Sequence, residues 1–277
     1  MRFSFKTASM ETTWQAMSAM WIEADDIDVY DAGWNYDHFY PIFTEPSGPC
    51  LEGWTTLTAL AAVTSRLRLG AMVLGNTYRH PAVLANMAAT LDHVSGGRLE
   101  IGIGAGWAEH EHTAYGIELP ALKKRFDMFD EACEVLHRLL TEYQTTFAGE
   151  HYQITDAYCE PKPLQTPRPP IVIGGKGEKR TLRAAARWAD QWNYPGGDVA
   201  EFIRKTEVLH AHCADVGRDP SEIEVSIQTR YTDDPVATAA TAAEMIEAGA
   251  GHVIVYFPTP HDPAQLGPVA EQLAALA

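Results

Sequence analysis

Hydrophobic and polar positions alternate along the chain with two different periods. Eight short apolar runs have the length and composition of buried strands, and a segment with helical spacing follows each of them. One such helical set is Leu84, Met87, Leu91 and Val94, which fall on one helix face. The predicted strands cover residues 2–6, 28–32, 66–74, 99–105, 171–174, 191–194, 223–229 and 252–257.

Eight strand–helix units within about 250 residues predict a closed parallel (β/α)8 TIM barrel of the α/β class. The alternative is an open, doubly wound sheet, which carries a Gly-x-Gly-x-x-Gly fingerprint. The best match in this chain begins at Gly102 and Gly104, but Trp107 stands where the third glycine belongs. The sequence therefore favours the barrel.

Two insertions interrupt the alternation of strands and helices. Residues 35–53, which hold three prolines, form a long loop after the second strand. Before the fifth strand, residues 145–152 predict a hairpin with Gly149 and Glu150 at its turn, and a proline-rich return follows. Long loops in compact domains are usually functional. No linker or internal repeat divides the chain, so residues 1–277 are expected to form a single TIM-barrel domain.

The balance of charges restricts the possible partners. Lys and Arg number 21 against 37 Asp and Glu, which gives a formal charge of −16. Such a surface repels nucleic acid and anionic membranes. No run approaches the ~18 apolar residues of a membrane span, and the N-terminus lacks the apolar core of a secretory signal. These features predict a cytoplasmic protein that binds neither nucleic acid nor membrane.

Metal and disulfide chemistry are not expected. The four cysteines lie far apart without a Cys-x-x-Cys pair, which indicates reduced thiols. The run Glu-His-Glu-His at 109–112 collects candidate metal ligands, but its two histidines lack the spacing that places two ligands on one helix face. The sequence therefore predicts no metal site.

In a barrel of this kind, reactive groups collect at the carboxyl ends of the strands. After the second strand, Asp37 precedes His38, the side chain best suited to move a proton near neutral pH. The alternative is that His38 packs among aromatic rings and bonds a backbone carbonyl. After the third strand, Asn76 and Thr77 form a polar loop that either contacts a planar ring or caps the next helix. After the fourth strand, glycines admit a ligand and Trp107 offers an apolar wall.

The stretch after the fifth strand is the most informative. Gly174, Gly175 and Gly177 lead into the first turn of an amphipathic helix, with Lys176 and Arg180 beside them. Backbone amides and the positive helix end converge there, which predicts a phosphate site. The stretch lacks the Gly-Lys-Ser/Thr ending of a nucleoside-triphosphate loop, so the phosphate of a bound cofactor is expected. A plain glycine turn with solvated lysines is the alternative.

Seven ordered motifs lie between residues 66 and 193, and further matches extend from Asp37-His38-Phe39 to His252-Val253-Ile254. They are RLRLG at 66–70, NTYRHP at 76–81, AATLD at 88–92, SGGRLE at 95–100, GIGAGW at 102–107, GGKGEKRTLR at 174–183 and ADQWN at 189–193. Together they resemble the bacterial luciferase-like family, and most of all its members that use the deazaflavin coenzyme F420. A departure is Ala108, which stands where relatives commonly have Asn.

The resemblance implies a tricyclic cofactor ring in the barrel mouth, with its phosphate at the fifth strand-to-helix turn. It implies a non-prolyl cis peptide between Met72 and Val73 that bulges against the ring, and it places Asn76 and Thr77 at the ring's polar edge. The residues that it assigns to the cofactor are Met72, Val73, Asn76, Thr77, Ala105, Gly106, Trp107, Gly174, Gly175, Lys176, Gly177 and Arg180.

The activity implied by the resemblance is an oxidoreductase that moves a hydride between bound F420 and a small organic substrate. His38 would supply or accept the accompanying proton, and Asp37 would orient His38. An alternative is monooxygenation by reduced FMN and oxygen, because both cofactors place a phosphate at the same turn. An isomerase or lyase acting on a sugar phosphate, and a non-catalytic cofactor-binding protein, stay open. Family members often form homodimers, and a homodimer is expected here.

Overall fold

A computed structural model describes residues 1–276 of the chain. Its strands are β1 (Arg2–Thr7), β2 (Tyr30–Asn35), β3 (Arg68–Ala71), β4 (Leu74–Gly75), β5 (Ile101–Gly104), β6 (Thr145–Ala148), β7 (Gln153–Ala157), β8 (Ile171–Gly174), β9 (Gln191–Tyr194), β10 (Glu224–Arg230) and β11 (His252–Phe257). Its helices are α1 (Trp14–Asp25), α2 (Gly53–Val63), α3 (Pro81–Ser95), α4 (Glu109–Tyr115), α5 (Leu122–Thr141), α6 (Thr181–Trp188), α7 (Val199–Val216), α8 (Pro235–Glu247) and α9 (Leu266–Ala274).

Nine strand segments form one parallel sheet in the order β3-β2-β1-β11-β10-β9-β8-β5-β4. β3 and β4 are two halves of one barrel strand, separated by Met72 and Val73. The sheet closes beside β3, where the Leu69 N–H donates to the Arg98 carbonyl and the Leu69 carbonyl accepts from the Glu100 N–H. The predicted eight-stranded barrel is therefore confirmed.

Several predicted strand boundaries differ from the structure by one or two residues, and the second and third strands differ most. The second strand runs on to Asn35 rather than ending at Ala32, because Trp34 and Asn35 pair in register with β3. The third strand is broken where a single run was predicted. Within residues 1–276, no helix combines the length and apolarity that a membrane crossing requires.

Side chains of the barrel strands alternate between the helical shell and the barrel interior. Phe3 and Phe5 are buried in the large cluster that joins the strands to the helices. Ser4 and Lys6 occupy the alternate positions of the same strand and face inward. A second apolar cluster lies inside the barrel and consists of Ala32, Trp34, Met72, Val172 and Ile254.

An ionic network occupies the amino-terminal end of the barrel. The guanidinium of Arg2 donates to Asp31 at 2.7 Å, to Glu100 at 2.7 Å and to Glu224 at 2.6 Å. Arg68 donates to the same Glu100 carboxylate at 2.6 Å. These residues all stand at or near the first positions of their strands, so the network ties together the ends that are remote from the expected site.

The insertion before the fifth barrel strand contains the predicted hairpin, with a wider turn. Strands β6 and β7 pair antiparallel, but β7 begins only at Gln153. The Glu131 carboxylate of α5 accepts hydrogen bonds from the backbone amides of Glu150, His151 and Tyr152, which fixes these residues in the turn. The insertion after the second strand is the loop 36–52, which leads into α2.

Candidate active site

A cavity of about 520 Å³ opens at the carboxyl ends of the barrel strands. Nine of the residues assigned from the sequence line it: Asp37, His38, Met72, Val73, Ala105, Gly106, Trp107, Gly174 and Gly175. The cavity wall, as far as residues 1–276 describe it, does not include the other five: Asn76, Thr77, Lys176, Gly177 and Arg180.

One wall of the cavity is built from Val73 and two glycines. The peptide bond between Met72 and Val73 is cis, as the resemblance implies. A Cβ placed on Gly104 would lie 2.9 Å from Cγ2 of Val73, and one placed on Gly174 would lie 2.9 Å from Cγ1. The glycines therefore let the Val73 side chain sit directly against β5 and β8, which gives a smooth apolar wall.

His38 is held by a carboxylate from a different part of the chain. Its Nδ1 lies 2.8 Å from Oε2 of Glu111, which is on helix α4 and fully buried. An ionised carboxylate accepts hydrogen bonds only, so Nδ1 carries the proton and donates. Nε2 is then the nitrogen available to the cavity, beside the indole of Trp107 at a ring separation of 5.7 Å.

Three donors keep the Glu111 carboxylate charged. Burial by itself would raise the pKa of Glu111, but hydrogen bonds from His38, from the Phe39 N–H and from Tyr78 outweigh it and hold the pKa below its usual value. The Tyr78 hydroxyl donates to Oε2 at 2.6 Å. Glu111 is therefore a fixed negative charge behind the His38 ring.

The expected contact between Asp37 and His38 is corrected by this geometry. The Asp37 carboxylate accepts two hydrogen bonds from Arg79, both at 2.8 Å, and one from the Gly75 N–H at 2.9 Å. Arg79 also binds Glu52 at 2.8 Å. A bidentate Arg pair fixes the orientation of a carboxylate, so Asp37 joins the loop after β2 to strand β4 and the loop that follows it. The residue that orients His38 is Glu111 and not Asp37.

Asn76 and Thr77 stabilise the surrounding loops. The Thr77 hydroxyl lies 2.7 Å from Nε2 of His112, and Nδ1 of His112 lies 2.7 Å from the Ala108 carbonyl. The amide of Asn76 is buried and points to the Tyr152 hydroxyl at 3.4 Å. Neither side chain is among the described residues that line the cavity to which the resemblance assigned them.

The glycine turn after β8 reaches the cavity, but its cations are bound elsewhere. Lys176 forms a salt bridge with Glu201 at 2.8 Å, and Arg180 forms one with Asp127 at 2.9 Å. No side chain caps the first turn of α6 among the residues that the structure describes. The Leu182 amide of this turn already donates to the Gly177 carbonyl, so the amides of Thr181 and Arg183 are the ones left for an anion.

Arg125 is a cation that the sequence analysis did not identify. It lies near the start of α5 and lines the cavity together with Gly175 and Thr181. Its Nε is buried and has no hydrogen-bond partner within residues 1–276. Since an unpaired buried donor is costly, Arg125 is suited to a negatively charged ligand next to the glycine turn.

Lys6 and Gln228 form the floor of the cavity and also lacked a clear sequence signal. The Lys6 ammonium donates to the Gln228 side-chain oxygen at 2.6 Å and lies 4.1 Å from the centre of the Tyr36 ring. Burial lowers the pKa of Lys6 to about 7. The alternation Phe-Ser-Phe-Lys along β1 would have indicated an inward-facing lysine, because Ser4 and Lys6 share a face.

Comparisons with known proteins agree with this architecture. The family described as luciferase-like monooxygenase matches residues 28–232. An uncharacterized protein of Mycobacterium tuberculosis is 33% identical over 187 residues, which are 68% of this chain and 64% of that protein's length. An F420-dependent glucose-6-phosphate dehydrogenase of Kineococcus radiotolerans is 30% identical over 246 residues, which are 88% of this chain and 72% of that enzyme.

A solved structure shares the fold at low sequence identity. It is an F420-dependent secondary alcohol dehydrogenase in complex with an F420–acetone adduct. The TM-score is 0.86 at 18% identity, and the match covers 100% of this chain and 99% of that one. The likeness confirms the barrel expected from the sequence.

Proposed function

This chain belongs to the luciferase-like monooxygenase family, and on that premise we propose that it is an F420-dependent oxidoreductase acting on a small alcohol or carbonyl compound. Two similarities support the choice of cofactor: the F420-dependent glucose-6-phosphate dehydrogenase covers most of the chain, and the F420-dependent alcohol dehydrogenase has the same fold.

The residues of the cavity fit a deazaflavin that carries a phosphate. The flat wall of Val73, Gly104 and Gly174 suits one face of a planar ring, since the glycines leave no Cβ in its way. The unpaired Nε of Arg125 and the uncapped first turn of α6 suit a phosphate. We propose Arg125 as the cation that binds it, in place of Lys176 and Arg180, which Glu201 and Asp127 neutralise.

A bound deazaflavin supplies a ring carbon that accepts or returns a hydride. His38 moves the accompanying proton. When an alcohol is oxidised, Nε2 takes the hydroxyl proton as the hydride leaves the carbon that bears the hydroxyl group. In the reverse direction, Nε2 returns that proton to the carbonyl oxygen. The fixed charge of Glu111 stabilises the protonated ring and keeps Nε2 turned toward the cavity.

The remaining side chains orient the substrate and restrict water. Trp107 stands at the mouth, 60% exposed, with its edge against His38. Phe43 and Phe126 line the same cavity and contribute apolar surface. Close and oriented approach is what a hydride transfer requires from the protein, because the electron chemistry belongs to the cofactor.

The observation that carries the proposal is the buried His38–Glu111 pair on the edge of the glycine-lined cavity. The test is an equilibrium titration of the purified protein with F420 and with FMN, followed by tryptophan fluorescence, because Trp107 lines the site. We expect F420 to bind in the micromolar range or tighter, and FMN at least tenfold more weakly.

A panel of alcohols with oxidised F420 then tests turnover, and His38→Ala should lower kcat by about 10²–10⁴-fold, the usual contribution of general acid–base catalysis. F420 affinity should stay within threefold of the wild-type value. Tight binding of reduced FMN with oxygen consumption, and none of F420, would replace this proposal with the flavin monooxygenase.

A further inference from the structure

A second cavity of about 410 Å³ adjoins the first at the ends of β9, β10 and β11. The two cavities share Tyr36, Phe43, Pro195 and Gln228 as lining residues. A ligand that lies over the cofactor ring can therefore extend past Tyr36 and Gln228 into this space. The glycine turn and Arg125 line only the first cavity within residues 1–276, so the second space is distinct from the proposed phosphate position.

Two cations flank the boundary between the cavities. Lys6 belongs to the first cavity and Arg230 to the second. Both face the ring of Tyr256: Nζ of Lys6 lies 5.9 Å from its centre, and the guanidinium carbon of Arg230 lies 5.3 Å from it. The Tyr36 and Tyr256 rings meet edge to face at 5.9 Å between them. The aromatic faces position both cations but do not neutralise them.

In the described part of the chain, neither cation has an acidic partner. The salt bridges formed by residues 1–276 include neither Lys6 nor Arg230. In contrast, Arg79, Lys176 and Arg180 near the same mouth are all paired with carboxylates. This is unexpected in a chain whose acidic residues exceed its basic ones by 16.

The burial of Lys6 makes the missing partner significant. The residue is 4% exposed, and its ammonium has one hydrogen-bond acceptor, Gln228, for three donor hydrogens. Burying an ammonium without a counter-charge is costly, and burial accordingly lowers the pKa of Lys6 to about 7. An anion beside Nζ would remove that cost and restore the charged form.

We propose that Lys6 and Arg230 bind an anionic group of the substrate, and that the substrate is a small hydroxy or carbonyl compound carrying a carboxylate or a phosphate. The proposal rests on the proposed function for the identity of the reacting group. The reacting carbon lies by His38, and the charged end points past Tyr36 toward the second cavity. Lys6 and Arg230 are thus specificity-determining residues, whereas His38 takes part in the chemistry.

The test uses pairs of probes that share a carbon skeleton and differ in charge. Lactate is compared with lactamide, and glycerol 3-phosphate with glycerol, by calorimetric titration of the full-length protein with and without F420. We expect the anionic member of at least one pair to bind at least tenfold more tightly than its neutral partner. The pair that shows this preference distinguishes a carboxylate substrate from a phosphate substrate.

Three variants assign the preference to the two cations. Lys6→Met should lower affinity for the preferred anion at least tenfold, and Arg230→Gln at least threefold, while the neutral partner and F420 bind as in the wild type. Arg230 is exposed, so Arg230→Gln tests the site even if Lys6→Met fails to fold. Lys124→Met, which removes an exposed lysine paired with Glu118, is the matched control and should change nothing.

Two results would overturn the proposal: equal binding of charged and neutral probes by the wild type, or undiminished anion binding by both variants. These results are separate from a failure of the proposed function. A protein that does not bind F420 but prefers the anion through Lys6 and Arg230 retains the anion site and loses the F420 activity. A protein that binds F420 but shows no preference for the anion retains the F420 activity and loses the anion site.

Discussion

His38 and Tyr78 donate to the same oxygen atom, Oε2 of Glu111, at 2.8 and 2.6 Å. The two donors come from loops after different barrel strands, and the acceptor comes from helix α4, which follows a third. One buried carboxylate therefore joins two loops of the barrel mouth to helix α4. Its charge fixes the orientation of the His38 ring, so a change at Glu111 acts on the chemistry through His38.

Glu111→Gln should lower kcat about 10–100-fold, the loss seen when the hydrogen-bonded partner of a metal-binding imidazole is mutated. The amide no longer specifies Nδ1 as the protonated nitrogen, because it can donate as well as accept. Nitrogen chemical shifts of the His38 ring should report a mixture of tautomers, and F420 affinity should change less than threefold. Tyr78→Phe removes the neighbouring donor and is the control. Unaltered kcat and an unaltered tautomer in Glu111→Gln would contradict the role.

The architecture followed from the sequence because burial imposes a period on it. Strands that face helices on one side and a barrel interior on the other must carry the apolar runs that predicted them. The break at Met72 and Val73 left no mark in that pattern, and only the resemblance to a family located it. For Asn76 and Thr77 the polar loop predicted either ring contact or a helix cap. The structure shows neither: Thr77 bonds His112, Asn76 bonds Tyr152, and His80 caps α3.

The side chains that the sequence missed are joined to the site by tertiary contacts alone. Glu111 lies 73 positions from His38, and nothing in the spacing of residues 109–112 indicated that the helix would turn one carboxylate inward. Arg125 belongs to an amphipathic helix whose polar face is expected to be solvated, and only the tertiary structure shows that its Nε is buried beside the cavity. Lys176 and Arg180 were favoured as phosphate ligands because proximity in sequence is visible and neutralisation by Asp127 and Glu201 is not.

Arg125→Met should weaken F420 binding about 10–100-fold, because a charge-assisted hydrogen bond to the phosphate is lost, worth about 1.5–3 kcal/mol. Arg180→Met is the matched control and should change affinity less than threefold, since Asp127 already neutralises that cation. Fluorescence titration with F420 measures both. A phosphate-free deazaflavin should bind Arg125→Met and the wild type equally well. If Arg125→Met and Arg180→Met lost F420 affinity equally, the phosphate would be assigned to the whole turn after β8 and not to Arg125.

Gly174→Ala should destabilise the protein by about 1–3 kcal/mol, the usual cost of overpacking, because the new Cβ would lie 2.9 Å from Val73. Adding Val73→Ala to this variant should recover part of the loss, so the two changes will not be additive. Urea denaturation provides the free energies. Gly267→Ala in α9, where no atom lies within 4 Å of the new Cβ, should be neutral or mildly stabilising. If the stability effects of Gly174→Ala and Val73→Ala were strictly additive, contact with Val73 would not be the cause of the destabilisation.

Lys6→Met should make the ligand-free protein more stable near neutral pH, and the gain should disappear in alkali. Burial lowers the pKa of Lys6 from its usual 10.5 to about 7. Between these values the unfolded chain binds a proton that the folded chain does not, so wild-type stability rises with pH in that window. Below about pH 7 Lys6 is charged in both states, and the full cost of burying its ammonium lowers the stability of the wild type.

Above pH 10.5 the penalty vanishes, since Lys6 is neutral in both states. The full shift converts to ~5 kcal/mol at ~1.4 kcal/mol per pKa unit. Because Lys6→Met also leaves the Gln228 oxygen without its donor, at a cost of about 1–3 kcal/mol, a net gain of about 2–4 kcal/mol is expected at pH 7. Urea denaturation of both proteins at several pH values from 6 to ~11 measures the difference. A difference that stays constant across that range would show that Lys6 is charged in the folded protein, which requires a counter-ion at Nζ even without substrate.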